Sequence, residues 1–197
     1  MKLNTLYRGD CLEVMKSIPD KSIDMILCDL PYGTTACKWD TIIPFEPLWE
    51  QYKRIIKDNG AIALTASQPF TSALVMSNPD MFKYCWIWQK NRHSSPLLAK
   101  KQPLRIYEDV CVFYKKQPTY NPQGIIAINR KMKNSVSAGG EIVNGKRGET
   151  FLRGEFIQEY TNYPTQIQKF DNEINTTHGT QKPVALMEYL IKTYTNE

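Results

Sequence analysis

Four consecutive residues, Asp29-Leu30-Pro31-Tyr32, combine groups suited to gripping an amino group. A short carboxylate accepts a hydrogen bond from an exocyclic N–H. A proline fixes its own φ and leaves neighbouring carbonyls free to accept a second. Tyr32 adds a flat face on which a planar ring can stack. Such a set would hold an amino nitrogen and increase its electron density as it attacks an electrophilic methyl group. The same residue types also populate plain strand-to-loop turns, so the surrounding elements have to decide.

The run just before it, Ile23-Asp24-Met25-Ile26-Leu27-Cys28, is short and almost continuously apolar, as in a strand buried on both faces of a parallel sheet. In open α/β sheets ligands bind beyond the carboxyl ends of strands, which places residues 29–32 where a site belongs. Upstream, Asp10 can cap a helix carrying Cys11, Val14, Met15 and Ile18 at helical spacing, with Glu13 as a capping-box partner. Downstream, Leu48, Tyr52, Ile55 and Ile56 mark one face of a helix that Asn59-Gly60 can terminate. The spacing then predicts strands over 61–65, 82–88 and 108–114, and a helix over 69–77. A last helix over 183–194 has Met187, Leu190, Ile191 and Tyr194 on one face. This alternation indicates an α/β sheet with helices on its faces. Residues 118–177 show no sustained period and a polar, glycine-containing texture, too long for an ordinary connection.

The net charge of +5 is unevenly spread. Residues 81–140 hold eleven basic side chains and only two acids, Glu108 and Asp109. Such a segment repels itself unless it meets a polyanion, of which nucleic acid is the commonest; a solvated basic face is the alternative. Tyr84, Trp86, Trp88, Tyr107 and Tyr120 are interleaved with the bases. The segment after Trp88 is expected to leave the sheet towards DNA, and Lys90, Asn91, Arg92, Lys100, Lys101 and Arg105 are candidate contacts to phosphates or base edges. Five cysteines without a Cys-x-x-Cys pair, and two histidines, argue against a zinc site and for reduced, mostly buried thiols. No apolar run is long enough to span a bilayer, and the first nine residues lack an apolar signal core, so the expectation is a cytoplasmic protein.

Asp29-Leu30-Pro31-Tyr32 resembles the Asp-Pro-Pro-Tyr catalytic motif of S-adenosylmethionine-dependent DNA amino-methyltransferases. Leucine replaces the first proline, a departure associated with phage-type members, at a position that contributes mainly backbone. His178-Gly179-Thr180-Gln181-Lys182-Pro183 is similar to the family's His-Pro-Thr-Gln-Lys-Pro segment, which precedes a helix lining the cofactor's methionine end. Arg8-Gly9-Asp10 stands where family members place an acid near the cofactor's adenine. The order of motifs is that of the permuted β class.

The resemblance implies a Rossmann-like methyltransferase sheet in which Asp29, Leu30, Pro31 and Tyr32 are catalytic. Asp10, His178, Thr180, Gln181, Lys182 and Pro183 would contact S-adenosylmethionine. Residues 1–117 would form the catalytic α/β part, 118–177 a basic target-recognition insert, and 178–197 a helix returning to the cofactor. It further implies double-stranded DNA as partner, a flipped base, and adenine rather than cytosine as target. The class continues with a strand and a Phe-x-Gly-x-Gly loop, and no Gly-x-Gly occurs in these 197 residues. The expectation is therefore a sheet incomplete at its C-terminal part, with an exposed edge on the residue 23–28 strand. A separate chain or a homodimer partner would supply the glycine loop. A non-catalytic DNA-binding subunit is the competing reading. Glutamine methylation in proteins uses a related Asn-Pro-Pro-Tyr motif, which Asp29 and the basic segment disfavour.

Overall fold

A computed structural model describes residues 2, 4–133, 155–174, 176 and 180–196. In chain order its elements are α1 (Cys11–Met15), β1 (Ile23–Asp29), α2 (Phe45–Ile55), β2 (Ile56–Ala66), α3 (Phe70–Ser77), β3 (Phe82–Ser94), β4 (Arg105–Phe113), β5 (Ile126–Lys133), β6 (Glu155–Thr161), β7 (Ile167–Lys169) and α4 (Val184–Tyr194). Five strands form one sheet in the order β1-β2-β4-β3-β7. β1 runs parallel to β2 and β7 parallel to β3, while β4 lies antiparallel to both β2 and β3. Only β4 is reversed, because a single 3-10 turn at Pro96–Leu98 joins it to β3 where a parallel neighbour would need a longer crossover. Among the described residues β1 is an edge strand, and its side chains are mostly half-buried where those of β2 are fully buried.

Residues 118–177, which carry no sequence period, contribute three strands. β5 and β6 pair antiparallel in a separate two-stranded sheet, and β7 joins the larger sheet. The chain divides into two compact units, one of Met1–Asn121 with Thr165–Glu197, the other of Pro122–Pro164.

Strand periodicity sorts the core of the larger unit into two layers. Ile62 and Leu64 of β2 face Leu48, Trp49, Tyr52, Phe70 and Leu74 from α2 and α3. Ala61 and Ala63 face the other way, in a cluster with Trp86, Trp88, Val110, Leu186, Leu190 and Tyr194. The aromatics that interleave the basic residues are therefore divided. Trp86 and Trp88 are core, with Trp86 Nε1 donating to the Tyr194 hydroxyl at 2.7 Å, whereas Tyr107 and Tyr120 are exposed.

Several local expectations shift. α2 stops at Ile55, and Ile56 opens β2, so Gly60 is a buried strand residue and not a helix cap. A β-carbon there would meet the Asp24 carbonyl oxygen at 2.8 Å, so the close approach of β1 requires glycine. β3 continues as strand through Ser94, although its ladder with β4 shifts between Gln89 and Ser94. The buried face of α4 is Leu186, Leu190, Thr193 and Tyr194, while Ile191 is exposed; the stripe is rotated from the expected one because Leu186 precedes it by one turn. Of the five cysteines, all free, only Cys111 is buried. No described helix is long and apolar enough to cross a membrane.

Asp10 does cap α1, accepting from Leu12 N at 2.8 Å, but Glu13 pairs with Lys16 at 2.7 Å. α1 is held from the far side by Arg54 of α2, whose guanidinium donates to the Met15 and Ile18 carbonyls at 2.7 and 2.8 Å and to Asp20 at 2.6 Å.

The loop after β1 is organised by Asp40, which accepts from the backbone N–H groups of Gly33, Thr34 and Thr35 at 2.7–2.9 Å. Gly33 takes φ +66°, a left-handed conformation that favours glycine. Burial raises the Asp40 pKa, but the hydrogen bonds outweigh it and bring the value down to about 2.

Two stability predictions follow from these contacts. Gly60→Ala should cost about 1–3 kcal/mol in urea-induced unfolding, because the strand pair must part to admit a methyl group. Asp40→Asn should destabilise the protein at pH 7. A depressed carboxyl pKa stabilises above its unfolded value, so the deficit should shrink as pH falls from about 4 towards about 2.

Candidate active site

β1 delivers Asp29 at its carboxyl end, and the parallel ladder sets it opposite Thr65 of β2. The Thr65 hydroxyl donates a short hydrogen bond to Asp29 Oδ1, and the Tyr32 hydroxyl donates to the same oxygen at 3.1 Å. Tyr32 also lies 2.9 Å from Thr65 Oγ1 and 3.4 Å from Glu108 Oε2. Burial, and then the negative charges of Asp29 and Glu108, push the Tyr32 pKa up, so its hydroxyl remains a donor. Its ring stacks on Phe70, with centroids 5.3 Å apart and planes 22° apart. Phe70 therefore takes one aromatic face, and the Lys182 ammonium also lies over the ring. Leu30 turns into the core cluster that holds Met15 and Leu48, so a position expected to contribute mainly backbone also buries its side chain.

Two lysines enter this end of the sheet. Lys182, just before α4, brings Nζ to 2.9 Å from the Asp29 carboxylate, 3.4 Å from Glu108 Oε2 and 5.4 Å from the centre of the Tyr32 ring. Lys90 of β3 forms an ion pair with Glu108 Oε1 and sits 4.8 Å above the Trp88 ring. The side chains of Lys182, Glu108 and Lys90 are 8%, 14% and 14% exposed, against 38% for Asp29, so three charges are nearly buried and the fourth opens to solvent. Asp29 and Glu108 balance Lys90 and Lys182, as a shielded cluster requires.

The structure thus brings Asp29, Leu30, Pro31, Tyr32 and Lys182 to one place, with Thr180, Gln181 and Pro183 in the adjoining segment. His178 lies outside the described residues. Asp10 is engaged at the start of α1. Among the candidate DNA contacts, Arg92, Lys100 and Lys101 are exposed. Asn91 accepts from Asn172 N at 3.0 Å, and Arg105 donates to Ser67 at 2.7 Å. Lys90 is turned inward to Glu108, away from the solvent position a phosphate contact needs.

Thr65 and Glu108 are site residues that sequence reasoning missed. Thr65 is identified only by the β1/β2 register. Glu108 had a signal, as one of two acids among eleven bases, which marks a carboxylate retained against the local charge.

A family model for DNA methylases, the N6/N4 methyltransferases, matches residues 23–197. The type II methyltransferase M1.MboII of Moraxella bovis is 22% identical over 214 residues, spanning 100% of this chain and 81% of that protein. The DNA adenine methyltransferase YhdJ of Escherichia coli (strain K12) is 26% identical over 207 residues, spanning 98% of this chain and 67% of that protein. The M1.HpyAVI–SAM complex superposes with a TM-score of 0.57 at 19% identity, covering 96% of this chain and 76% of the other. The cytosine-N4-specific PvuII DNA methyltransferase gives a TM-score of 0.62 at 14% identity, covering 96% and 70%. The two solved structures establish the shared Rossmann-like methyltransferase fold, and the sequence match carries the family. The chain is a member of the N6/N4 DNA methylase family.

Proposed function

We propose that this protein transfers a methyl group from S-adenosylmethionine to the exocyclic amino group of adenine in double-stranded DNA. The observation that supports it best is Asp29, a half-exposed carboxylate at the carboxyl end of β1, oriented by the hydroxyls of Thr65 and Tyr32.

The donor set fits a sulfonium methyl donor. Asp29, the most exposed of the four charged groups, and the Tyr32 ring can face a cation where Lys182 lies, and the segment 180–183 lies beside Asp29, since Lys182 reaches it at 2.9 Å. When bound, the cofactor supplies an electrophilic methyl group, whose bond to sulfur breaks with its electron pair left on sulfur. Thr180, Gln181 and Pro183 are the residues we assign to holding it, with His178 ahead of them.

The chain's own work is positioning. Asp29 accepts a hydrogen bond from the target amino group and offsets the positive charge that grows on its nitrogen; the surplus proton leaves towards this carboxylate or solvent. A base swung out of the duplex stacks on Tyr32 by displacing the Lys182 ammonium from over the ring, which offsets part of the few kcal/mol lost in unstacking. Exposed Arg92, Lys100 and Lys101 meet the phosphate backbone, and the 118–177 segment with its β5–β6 hairpin selects the target sequence. The motif order supports the permuted class, the Asp-Leu-Pro-Tyr variant supports a phage-type member, and a cytoplasmic location accords with DNA as substrate.

A second reading is favoured by the eleven basic side chains against two acids in residues 81–140: the chain binds DNA without itself transferring a methyl group. Calorimetric titration with S-adenosylmethionine separates the two. Binding in the micromolar range supports the first, and no binding supports the second.

Under the first reading, mass spectrometry of nucleosides from treated DNA should show N6-methyladenine; N4-methylcytosine would overturn the choice of base. Asp29→Ala should lower methyl transfer about 1,000-fold, measured with tritiated cofactor, and leave DNA retention on filters within about twofold. Loss of DNA binding instead would remove Asp29 from the catalytic role.

A further inference from the structure

We infer that Glu108 is a positioning residue for methyl transfer, which draws the Lys182 ammonium off Asp29 so that the target amino group can take its place. The inference rests on the methyltransferase reading above. Asp29 Oδ1 is already engaged by the hydroxyls of Thr65 and Tyr32, and Lys182 Nζ lies 2.9 Å from both carboxylate oxygens, so it covers Oδ2 as well. The oxygen that an incoming amino group needs is therefore occupied by a cation. That cation also opposes the chemistry. The amino nitrogen becomes positive as the methyl arrives, and a positive charge already on the carboxylate cancels part of the stabilisation Asp29 provides.

Glu108 is the only second acceptor the described contacts give the Lys182 ammonium apart from the Thr180 carbonyl at 3.5 Å. At 3.4 Å, Glu108 Oε2 is near enough for the ammonium to exchange one carboxylate for the other inside the pocket. Its other oxygen is held by Lys90, which fixes the side chain in place. With Lys182 moved across, Glu108 faces two cations and Asp29 is left with its charge available. Lys90 then supports the active arrangement from one step further out.

The test uses the full chain, tritiated S-adenosylmethionine and unmethylated genomic DNA. Glu108→Gln should lower kcat about 30-fold, with KM for both substrates within about twofold, because Lys182 stays on Asp29. The double variant Glu108→Gln/Lys182→Met should recover at least about fivefold over the single. A residue that merely supports the fold would not be rescued by removing a second buried side chain. Both variants take the carboxylate from Lys90, so thermal melts check their folding before the rates are compared.

If Glu108→Gln fails to fold, Glu108→Asp with and without Lys182→Met supplies the same comparison, the double again faster than the single. Calorimetry should show S-adenosylmethionine bound equally by wild type and the Glu108→Gln variant. A double variant as slow as the single, or a single as fast as wild type, overturns the inference. Loss of cofactor binding in the double variant also overturns it, by assigning Lys182 to the cofactor. A wild-type chain that neither binds the cofactor nor transfers methyl overturns the functional reading itself, and this inference with it.

Discussion

The pairing of β1 with β2 is the constraint on which the site depends. Their parallel register sets Asp29 across from Thr65, and from that one alignment the rest follows. Thr65 reaches the carboxylate, Tyr32 is drawn back over both, and Phe70 closes on the ring from behind. A slip of one residue would turn Asp29 to the opposite face of the sheet, since side chains alternate along a strand. Gly60 and Asp40 serve the same alignment from its two ends. Gly60 lets the strands approach where they begin to pair, and Asp40 ties down the loop through which the chain leaves β1.

β4 adds a second constraint. Its reversed direction brings Glu108, near its amino end, to the same edge of the sheet as the carboxyl ends of β1 and β2. A carboxylate so nearly enclosed needs compensating charge, and Lys90 and Lys182 supply it from two different elements. Clusters of this kind contribute little net stability, but loss of one member leaves a buried charge uncompensated, at a cost of about 3–5 kcal/mol. The arrangement therefore specifies geometry more than it stabilises the fold. It joins β3, β4 and the approach to α4 at the point where the chemistry would occur.

The sequence displayed the parts of this architecture that rest on local pattern. The apolar run ending at Asp29, the strand through Ala61–Thr65 and the terminal helix can each be read from periodicity and flanking residues, and the two motifs could be recognised from their residues. What it concealed depends on pairing across distance. Nothing in residues 56–60 says that the helix ends early, because Ile56 fits the helical stripe as well as it fits a strand. Residues 126–133 and 155–161 are polar enough to look structureless; they pair with each other and bury little, so no apolar alternation marks them. Lys90 looked like a surface base because its partner lies eighteen positions away on another strand.

Arg54 carries a consequence of a different kind. α1 has five residues, too few to hold a helical conformation alone, and its last carbonyl is bonded by a guanidinium 39 positions further on. The end of α1 therefore depends on α2 as well as on its own Asp10 cap. In the native protein its amide hydrogens should be among the first to open to solvent. Lysine in that place could carry the charge, but a single ammonium cannot reproduce the planar fork that binds two carbonyls and a carboxylate together. The end of α1 owes its tie to α2 to the shape of one side chain.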